Sequence, residues 1–482
     1  MQQVTCPGCG APVEFKSTAS IMAVCGFCKT TILKDAGSIK NLGKMSEVLE
    51  DYSPLQIGTS GEYAGRAFSL IGRIQLRYTE GFWNEWYVLF SDSSNGWLSD
   101  GSGQFTVTAA QPTGANLPLF DKLVPGNVLH LDGQSFVTSD VRTAQCTGGQ
   151  GELPFQVGAG YQAKVADFRS GDRFLTLDYS GQPVRVYTGQ GVELAALKPQ
   201  LLRDSEQIQE SAGRFHGKVQ ALNCPSCGSP VNVVPGLTVH ISCPSCHAQI
   251  DTSGATAEVL AAGARAEAVQ FSLTLGSTAT IHGTRYTVLG ALQRTETGEA
   301  YTWSEYLLYA PRKKFIWLVE TDQGWQRAEA LDRWPQWDGA GRPSLEGVTF
   351  ARDSQYQARV VVALGSFNWR VSAGDTAQIT EYVGRGSRLA TEVSAAEMTW
   401  SRSLPVPADQ LGAWFGKPMQ SAQAAPASRY RDTAKRLVIV LLIINAIPLL
   451  FTGGGALPYL LFGAAAIYLP AFFLDKLDAG GS

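Results

Sequence analysis

Histidine is scarce in this chain. Only five occur in 482 residues, at His130, His216, His240, His247 and His282, and none belongs to a His-Glu-x-x-His metallohydrolase motif. Also missing are a Gly-x-x-x-x-Gly-Lys-Ser/Thr loop for nucleotide phosphates and a Gly-x-Ser-x-Gly nucleophile elbow. An excess of one charge sign is lacking as well. The 39 basic and 42 acidic side chains leave a formal net charge of -3, which exerts no general pull on nucleic acid or an anionic surface. The first residues, Met1-Gln-Gln-Val-Thr-Cys6, show no basic region followed by an apolar one, so no secretory signal is expected here. Without a recognisable catalytic constellation, the chain reads as a protein that is not an enzyme.

What is abundant is glycine, at 51 residues, together with 11 Trp, 16 Tyr and 21 Phe. Glycine and aromatics in short runs favour a mainly β fold with many turns. Eight of the nine cysteines form Cys-x-x-Cys pairs: Cys6 with Cys9, Cys25 with Cys28, Cys224 with Cys227, and Cys243 with Cys246. In both halves fifteen residues separate the inner cysteines. Each pair can place two thiolates on one ion, and a hairpin-sized segment brings up the second pair. Four soft thiolates suit tetrahedral zinc in a closed, structural site, so two structural Zn2+ ions are expected. His247 follows Cys246 directly, but Lys29 stands at the matching place after Cys28, which makes His247 a surface residue rather than a ligand. Cys146 stands alone and receives no role. The ribbon between Cys224 and Asp251 contains no Lys or Arg, so nucleic acid is an unlikely partner.

The repeat extends past the cysteines. A shift of 218 carries the first four-cysteine set onto the second, and Gly58, Gly65 and Gly72 onto Gly276, Gly283 and Gly290. A shift of 220 sets Trp83-Asn-Glu85-Trp86 on Trp303-Ser-Glu305-Tyr306, and Trp97 on Trp317. Further on, Gly151 to Val157 resembles Gly365 to Val371, including Trp369. Each copy reads as a zinc ribbon, a short helix (Lys44 to Tyr52; Ala255 to Ala268) and a β-rich domain. Copy one shows no evident counterpart of Glu397-Met-Thr-Trp400-Ser401, so copy two reads as the fuller version. An acidic residue inside an apolar strand needs a partner. Glu85 and Glu305, with the neighbouring Trp86, Tyr306 and Trp369, are therefore the candidate ligand or partner contacts.

The resulting map has zinc ribbon 1 at 1–36, β-rich domain 1 at 53–193, a helical connector at 194–218, zinc ribbon 2 at 219–253 and β-rich domain 2 at 270–418. A basic juxtamembrane linker at 419–436 and an apolar segment at 437–474 complete it. Residues 437–474 carry no charged side chain and are broken at Thr452-Gly-Gly-Gly455, which predicts a two-helix transmembrane hairpin. Arg429, Arg431, Lys435 and Arg436 flank it, and the positive-inside rule then puts both ends in the cytoplasm. The expected location is thus a bacterial inner membrane, with the bulk of the chain on its cytoplasmic face.

On the residues Gly276 to Tyr309, Gly365 to Val371 and Glu397 to Ser401, the chain resembles the bacterial domain-of-unknown-function 4178 family, more weakly over Gly58 to Val192. The resemblance implies a setting near envelope-stress and polyamine-synthesis systems and assigns no chemistry. The functional expectation is a membrane-anchored scaffold or adaptor that holds membrane and cytoplasmic proteins and contacts the bilayer through its hairpin. The alternative is a binding or regulatory module for a small ligand, cationic ligands included.

Overall fold

The computed structural model describes residues 2–204, 222–231, 240–251, 258–261, 269–419, 429–451 and 457–480, apart from 36–37, 46–47, 49–52, 80, 102, 113–116, 132, 159, 300, 311–312, 314, 338 and 340. The chain forms two compact units. One comprises residues 1–321 and 325–418, the other residues 322–324 and 419–482.

Copy one begins with the ribbon strands β1 (Gln2–Thr5), β2 (Pro12–Phe15), β3 (Met22–Val24), β4 (Thr30–Asp35) and β5 (Ser38–Lys44). There follow β6 (Ser60–Tyr63), β7 (Arg66–Tyr78), β8 (Gly81–Phe90), β9 (Asn95–Gly101) and β10 (Gln104–Gln111). The copy ends with β11 (Val128–Leu131), β12 (Gln134–Leu153), β13 (Tyr161–Ser170), β14 (Arg173–Asp178) and β15 (Arg185–Val192). Copy two starts with β16 (Leu222–Asn223), β17 (Pro230–Val231), β18 (His240–Ser242), β19 (Gln249–Asp251) and β20 (Glu258–Ala261). Its next strands are β21 (Thr278–Ile281), β22 (Thr284–Glu296), β23 (Thr302–Tyr309), β24 (Ile316–Thr321) and β25 (Gly324–Ala330). A small hairpin, β26 (Ser344–Leu345) and β27 (Val348–Thr349), precedes β28 (Ala351–Phe367), β29 (Thr376–Gly384), β30 (Ser387–Val393), β31 (Met398–Val406) and helix α1 (Ala408–Phe415).

Both copies have the same topology. In copy one the hydrogen-bonded order β12-β13-β14-β15-β10-β9-β8-β7 returns to β12, a closed ring of eight strands. In copy two β28-β29-β30-β31-β25-β24-β23-β22 closes on β28 in the same way. Closure removes the unpaired edges that an open sheet would expose. Copy one is therefore as complete as copy two. The strand matching Met398–Val406 is β15, whose sequence Arg-Val-Tyr-Thr-Gly-Gln-Gly-Val hides the relation.

The ribbon shares a sheet with the ring. In copy two, β28 pairs with β29 through residues 351–359 and with β22 through residues 358–365. The edge that β29 leaves is then taken by β18, through His240↔Phe367 and Ser242↔Gly365. Copy one repeats this, with β3 pairing Val24↔Gly151 and Met22↔Leu153. Gly151 also faces Gly72 of β7, and Gly365 faces Gly290 of β22. A side chain has no room at these crossings. A Cβ on Gly72 would lie 1.8 Å from the Glu152 carbonyl oxygen, and one on Gly365 would lie 2.3 Å from that of Leu289.

The outer faces of the rings are covered by apolar clusters. Leu55 and Leu197 lie over Trp86, Val88, Leu98 and Phe105 in copy one. Leu117, Leu129 and Leu131 lie over Phe168, Leu175 and Leu177. The copies join through a further cluster in which Val137 of copy one packs with Trp334, Phe350, Met398 and Trp400 of copy two. Arg142 completes the junction, 2.5 Å from Asp140 and 2.6 Å from Glu397, while the Val141 amide donates to the Ala396 carbonyl at 2.9 Å.

Several expectations need correction. Glu258–Ala261, inside the second expected short helix, is a strand, and Lys44 ends one; most of the remaining residues of Lys44 to Tyr52 and Ala255 to Ala268 lie outside the described residues. Of the expected helical connector at 194–218, the described part, 194–204, contains a 3-10 turn at Leu194–Leu197, after which Gln200 bridges to Ser60; residues 205–218 lie outside the described residues.

The tail forms α2 (Arg429–Phe451) and α3 (Leu457–Gly480), which pack on each other where Gly463 approaches Leu441. Among the described residues, however, no helix is long and apolar enough to cross a membrane. The basic residues Arg429, Arg431, Lys435 and Arg436 belong to α2 itself, not to a linker before it. They leave an uncharged stretch at 437–451 of about 22 Å, and α3 has one of about 27 Å before Asp475, against a hydrocarbon core of about 30 Å. The transmembrane part of the fold class is thereby overturned. With it fall the multi-pass inner-membrane location, the bilayer as a partner, and the membrane-anchored scaffold holding membrane proteins.

Because the Gly crossings fix ring and ribbon together, Gly151→Ala and Gly365→Ala should each cost more than about 2 kcal/mol in urea unfolding. Gly65→Ala shares the positive φ, but a Cβ there meets nothing within 4 Å. It should cost only about 1–2 kcal/mol.

Candidate metal centres and the acidic ring interior

Cys25 directly follows β3, and Cys243 directly follows β18, so the strand that borders the ring delivers one cysteine of each set. Both Cys-x-x-Cys turns of each ribbon curl back on themselves. The Lys29 amide donates to the Cys25 carbonyl at 3.0 Å and the His247 amide to that of Cys243 at 2.9 Å, with φ of 60° and 58° at Lys29 and His247. Two four-cysteine groups result, Cys6, Cys9, Cys25 and Cys28, and Cys224, Cys227, Cys243 and Cys246. Within each, all sulfurs lie within 4.8 Å of one another. Individual Sγ–Sγ separations are 3.6 Å for Cys6–Cys28, 3.7 Å for Cys9–Cys25, 3.7 Å for Cys224–Cys246 and 3.8 Å for Cys227–Cys243. Tetrahedral bonds of about 2.3 Å to one zinc ion would set sulfurs about 3.8 Å apart, so the donor sets fit such an ion. His247 belongs to neither group. The Thr30 hydroxyl lies 3.1 Å from Cys28 Sγ, and the Gly8 amide donates to Cys6 Sγ at 3.4 Å, contacts that stabilise thiolate charge. Cys146 is buried in the core, where burial pushes its thiol up to about 11 and keeps it protonated.

The second site is the inside of each ring. Residues paired across antiparallel strands share a face. On that basis Glu85, Ser99, Tyr87 and Trp97 face the same way as Asp167, Thr176, Asp178 and Tyr187. These side chains come from opposite sides of the ring, and the charges of both Glu85 and Asp178 act on Tyr161 and Tyr187. The shared face is the inward one.

Trp86 and Tyr306 are on the other face, fully buried under the outer cover. Alternation along a strand separates them from the neighbouring glutamates. Trp369 lines the inside of copy two, 5.5 Å from Trp317, as Phe155 does in copy one, 5.9 Å from Trp97.

Each inner glutamate accepts a hydrogen bond from an indole two residues earlier, Trp83 Nε1 to Glu85 at 2.9 Å and Trp303 Nε1 to Glu305 at 2.7 Å. This spacing was visible in the sequence as Trp-x-Glu. Two further acidic positions escaped sequence reading. The pair Ala144↔Ala163 matches Ala358↔Ala377, which carries Asp167 onto Glu381 and Asp178 onto Glu392. The copies differ in what neutralises these acids. In copy two the buried guanidinium of Arg294 reaches Glu392 at 2.7 Å and Glu305 at 3.5 Å. Arg294 pairs with Trp303, and the residue paired with Trp83 in copy one is Leu76. Among the described residues no cation pairs with Glu85, whose other hydrogen bonds come from the Ser99 hydroxyl at 2.7 Å. Burial pushes the Glu85 carboxyl up to about 7, against the hydrogen bonds from Ser99 and Trp83, and the nearby charges of Asp167 and Asp100 add to the rise.

A family model described as "Domain of unknown function (DUF4178)" matches residues 56–194 and 274–408, more than half of the chain. The chain belongs to the DUF4178 family. The domain is duplicated, and each copy follows a four-cysteine, zinc-ribbon-like motif. No curated protein matches. Two solved structures are similar at low level. One is described as MucB in complex with MucA(peri), at 10% identity over 74% of this chain and 93% of that one, with a TM-score of 0.11. The other, the Pseudomonas aeruginosa MucA/MucB complex, gives 10% identity over 75% and 93%, with a TM-score of 0.12. Scores of that size carry no argument about fold or about an envelope-linked role.

The folded-state rise of Glu85 fixes the sign of a pH effect. The folded protein favours the neutral carboxyl, so this residue costs nothing below about pH 4.5 and its penalty grows as pH rises through about 7. Glu85→Gln should therefore gain stability relative to the parent at pH 8 and lose that gain by pH 4, measured by urea unfolding across the range.

Proposed function

We propose that each four-cysteine group binds one Zn2+, and that the chain is a non-enzymatic binding module built on two metal-fastened β rings. The observation that carries this reading is the placement of Cys25 and Cys243 immediately after β3 and β18. These strands cover the edges of β12 and β28 beside Gly151 and Gly365. A ribbon strand of three residues is too short to hold such an edge by its ladder alone. Four thiolates supply the missing free energy by tying that strand to the rest of the ribbon.

Cys6, Cys9, Cys25 and Cys28 would hold one ion, and Cys224, Cys227, Cys243 and Cys246 the other. When bound, zinc contributes folding free energy, and four protein thiolates leave it no position for a substrate. The chain's own residues set the rest. The β3 and β18 ladders orient the inner cysteines, and the Thr30 hydroxyl and Gly8 amide support thiolate charge.

Metal analysis of the purified chain should give two zinc ions per molecule. Cys25→Ser and Cys243→Ser should each remove one ion and leave the other. A folded parent protein with fewer than two ions, or loss of both ions from either variant, would contradict the reading.

A further inference from the structure

Copy two contains, in its own sequence, the group that its inner acids select. Glu305 and Glu392 reach from opposite sides of the ring and close on the Arg294 guanidinium, whose side chain is only 7% exposed. Copy one keeps both acids, as Glu85 and Asp178, but replaces the arginine with Leu76, an apolar member of the core cluster. Two other cations of copy one leave Glu85 without a cationic partner among the described residues, although one of them approaches Asp178. Arg142, at the position of Tyr356, is held by Asp140 and Glu397 and stacks 4.0 Å over the Tyr78 ring. Arg185 remains 3.8 Å from Asp178 and is more than half exposed, and Asp178 also accepts the Ser180 amide at 2.8 Å.

The surroundings of Glu85 have also changed. Tyr161 and Tyr187 stand where copy two has Asp375 and Ser401, adding two phenol groups near the acids. Tyr87 and Trp97 lie 5.1 Å apart on the same inner face. Glu85, Trp97, Tyr161, Asp178 and Tyr187 all keep partial exposure. Carboxylates beside aromatic faces are the chemistry that recognises a flat organic cation.

We propose that the ring of copy one binds the guanidinium group of an external ligand between Glu85 and Asp178, in the place that Arg294 fills in copy two. A bound cation favours the ionised form of Glu85, which then supplies the charge, and the aromatic wall of Trp97 and the two tyrosines bounds the group's faces. The ring of copy two carries its own guanidinium and is closed to the same ligand. The inference stands on the internal repeat and does not depend on the metal centres.

The test is calorimetric titration of the full zinc-loaded chain with ethylguanidinium, with the neutral isostere ethylurea as control. One ethylguanidinium should bind per chain, and ethylurea should not. Glu85→Gln, which can still accept the Trp83 hydrogen bond, should weaken ethylguanidinium at least about tenfold. Leu76→Arg, which tethers a guanidinium as in copy two, should abolish binding while the zinc content stays at the parent value. Equal binding of ethylguanidinium and ethylurea, or undiminished binding in Leu76→Arg, would overturn the proposal.

Discussion

Everything in the main unit depends on two backbone crossings. At Gly72–Gly151 and Gly290–Gly365 the first long strand of a ring meets its longest strand, and the ribbon strand pairs on the opposite edge of that same residue. A Cβ at Gly72 or Gly151 would fall about 2 Å from a carbonyl oxygen of the facing strand, so the ladders can form only with glycine there. The crossings close the rings, and closure turns one face of every strand inward. From that follow the acidic interior and the place where the four-cysteine ribbons attach.

Closure also explains why each copy needs its ribbon. β12 spans Gln134–Leu153 and β28 spans Ala351–Phe367, and both outrun the neighbours that pair with their first halves. Their far ends would present unpaired amides and carbonyls, an open template for another chain. β3 and β18 occupy those ends. The family match begins at residues 56 and 274, after the ribbons, yet the hydrogen bonds run through without a break. Sequence boundaries and sheet boundaries differ here because an eight-stranded ring with a bare edge is not a finished unit.

The sequence revealed what is local. Paired cysteines, the repeat and the Trp-x-Glu spacing all lie within short segments, and each keeps its place in the structure. Non-local features stayed hidden. Ring closure leaves in the sequence only isolated glycines far apart, and the equivalence of β15 to β31 is masked by Gly189 and Gly191 where copy two has bulkier residues. The role of Arg294 could not be read because its partners lie 11 and 98 residues away. Trp86 was grouped with Glu85 by adjacency, although alternation sends neighbours to opposite faces. The tail misled for a different reason. The uncharged run was divided into two segments, but the helical pieces, 437–451 of α2 and 457–474 of α3, are about 22 Å and about 27 Å long against a hydrocarbon core of about 30 Å.

The four-cysteine ribbons lie in the same hydrogen-bonded sheet as the rings, as edge covers that bound zinc would fasten. Amide hydrogen exchange with and without a zinc chelator tests this most directly. Removing metal should abolish protection at residues 22–24 and 151–153, and at 240–242 and 365–367, while the ring amides at 85–89 and 305–308 stay protected. Unchanged protection at the ribbon ladders after complete zinc removal would contradict the account.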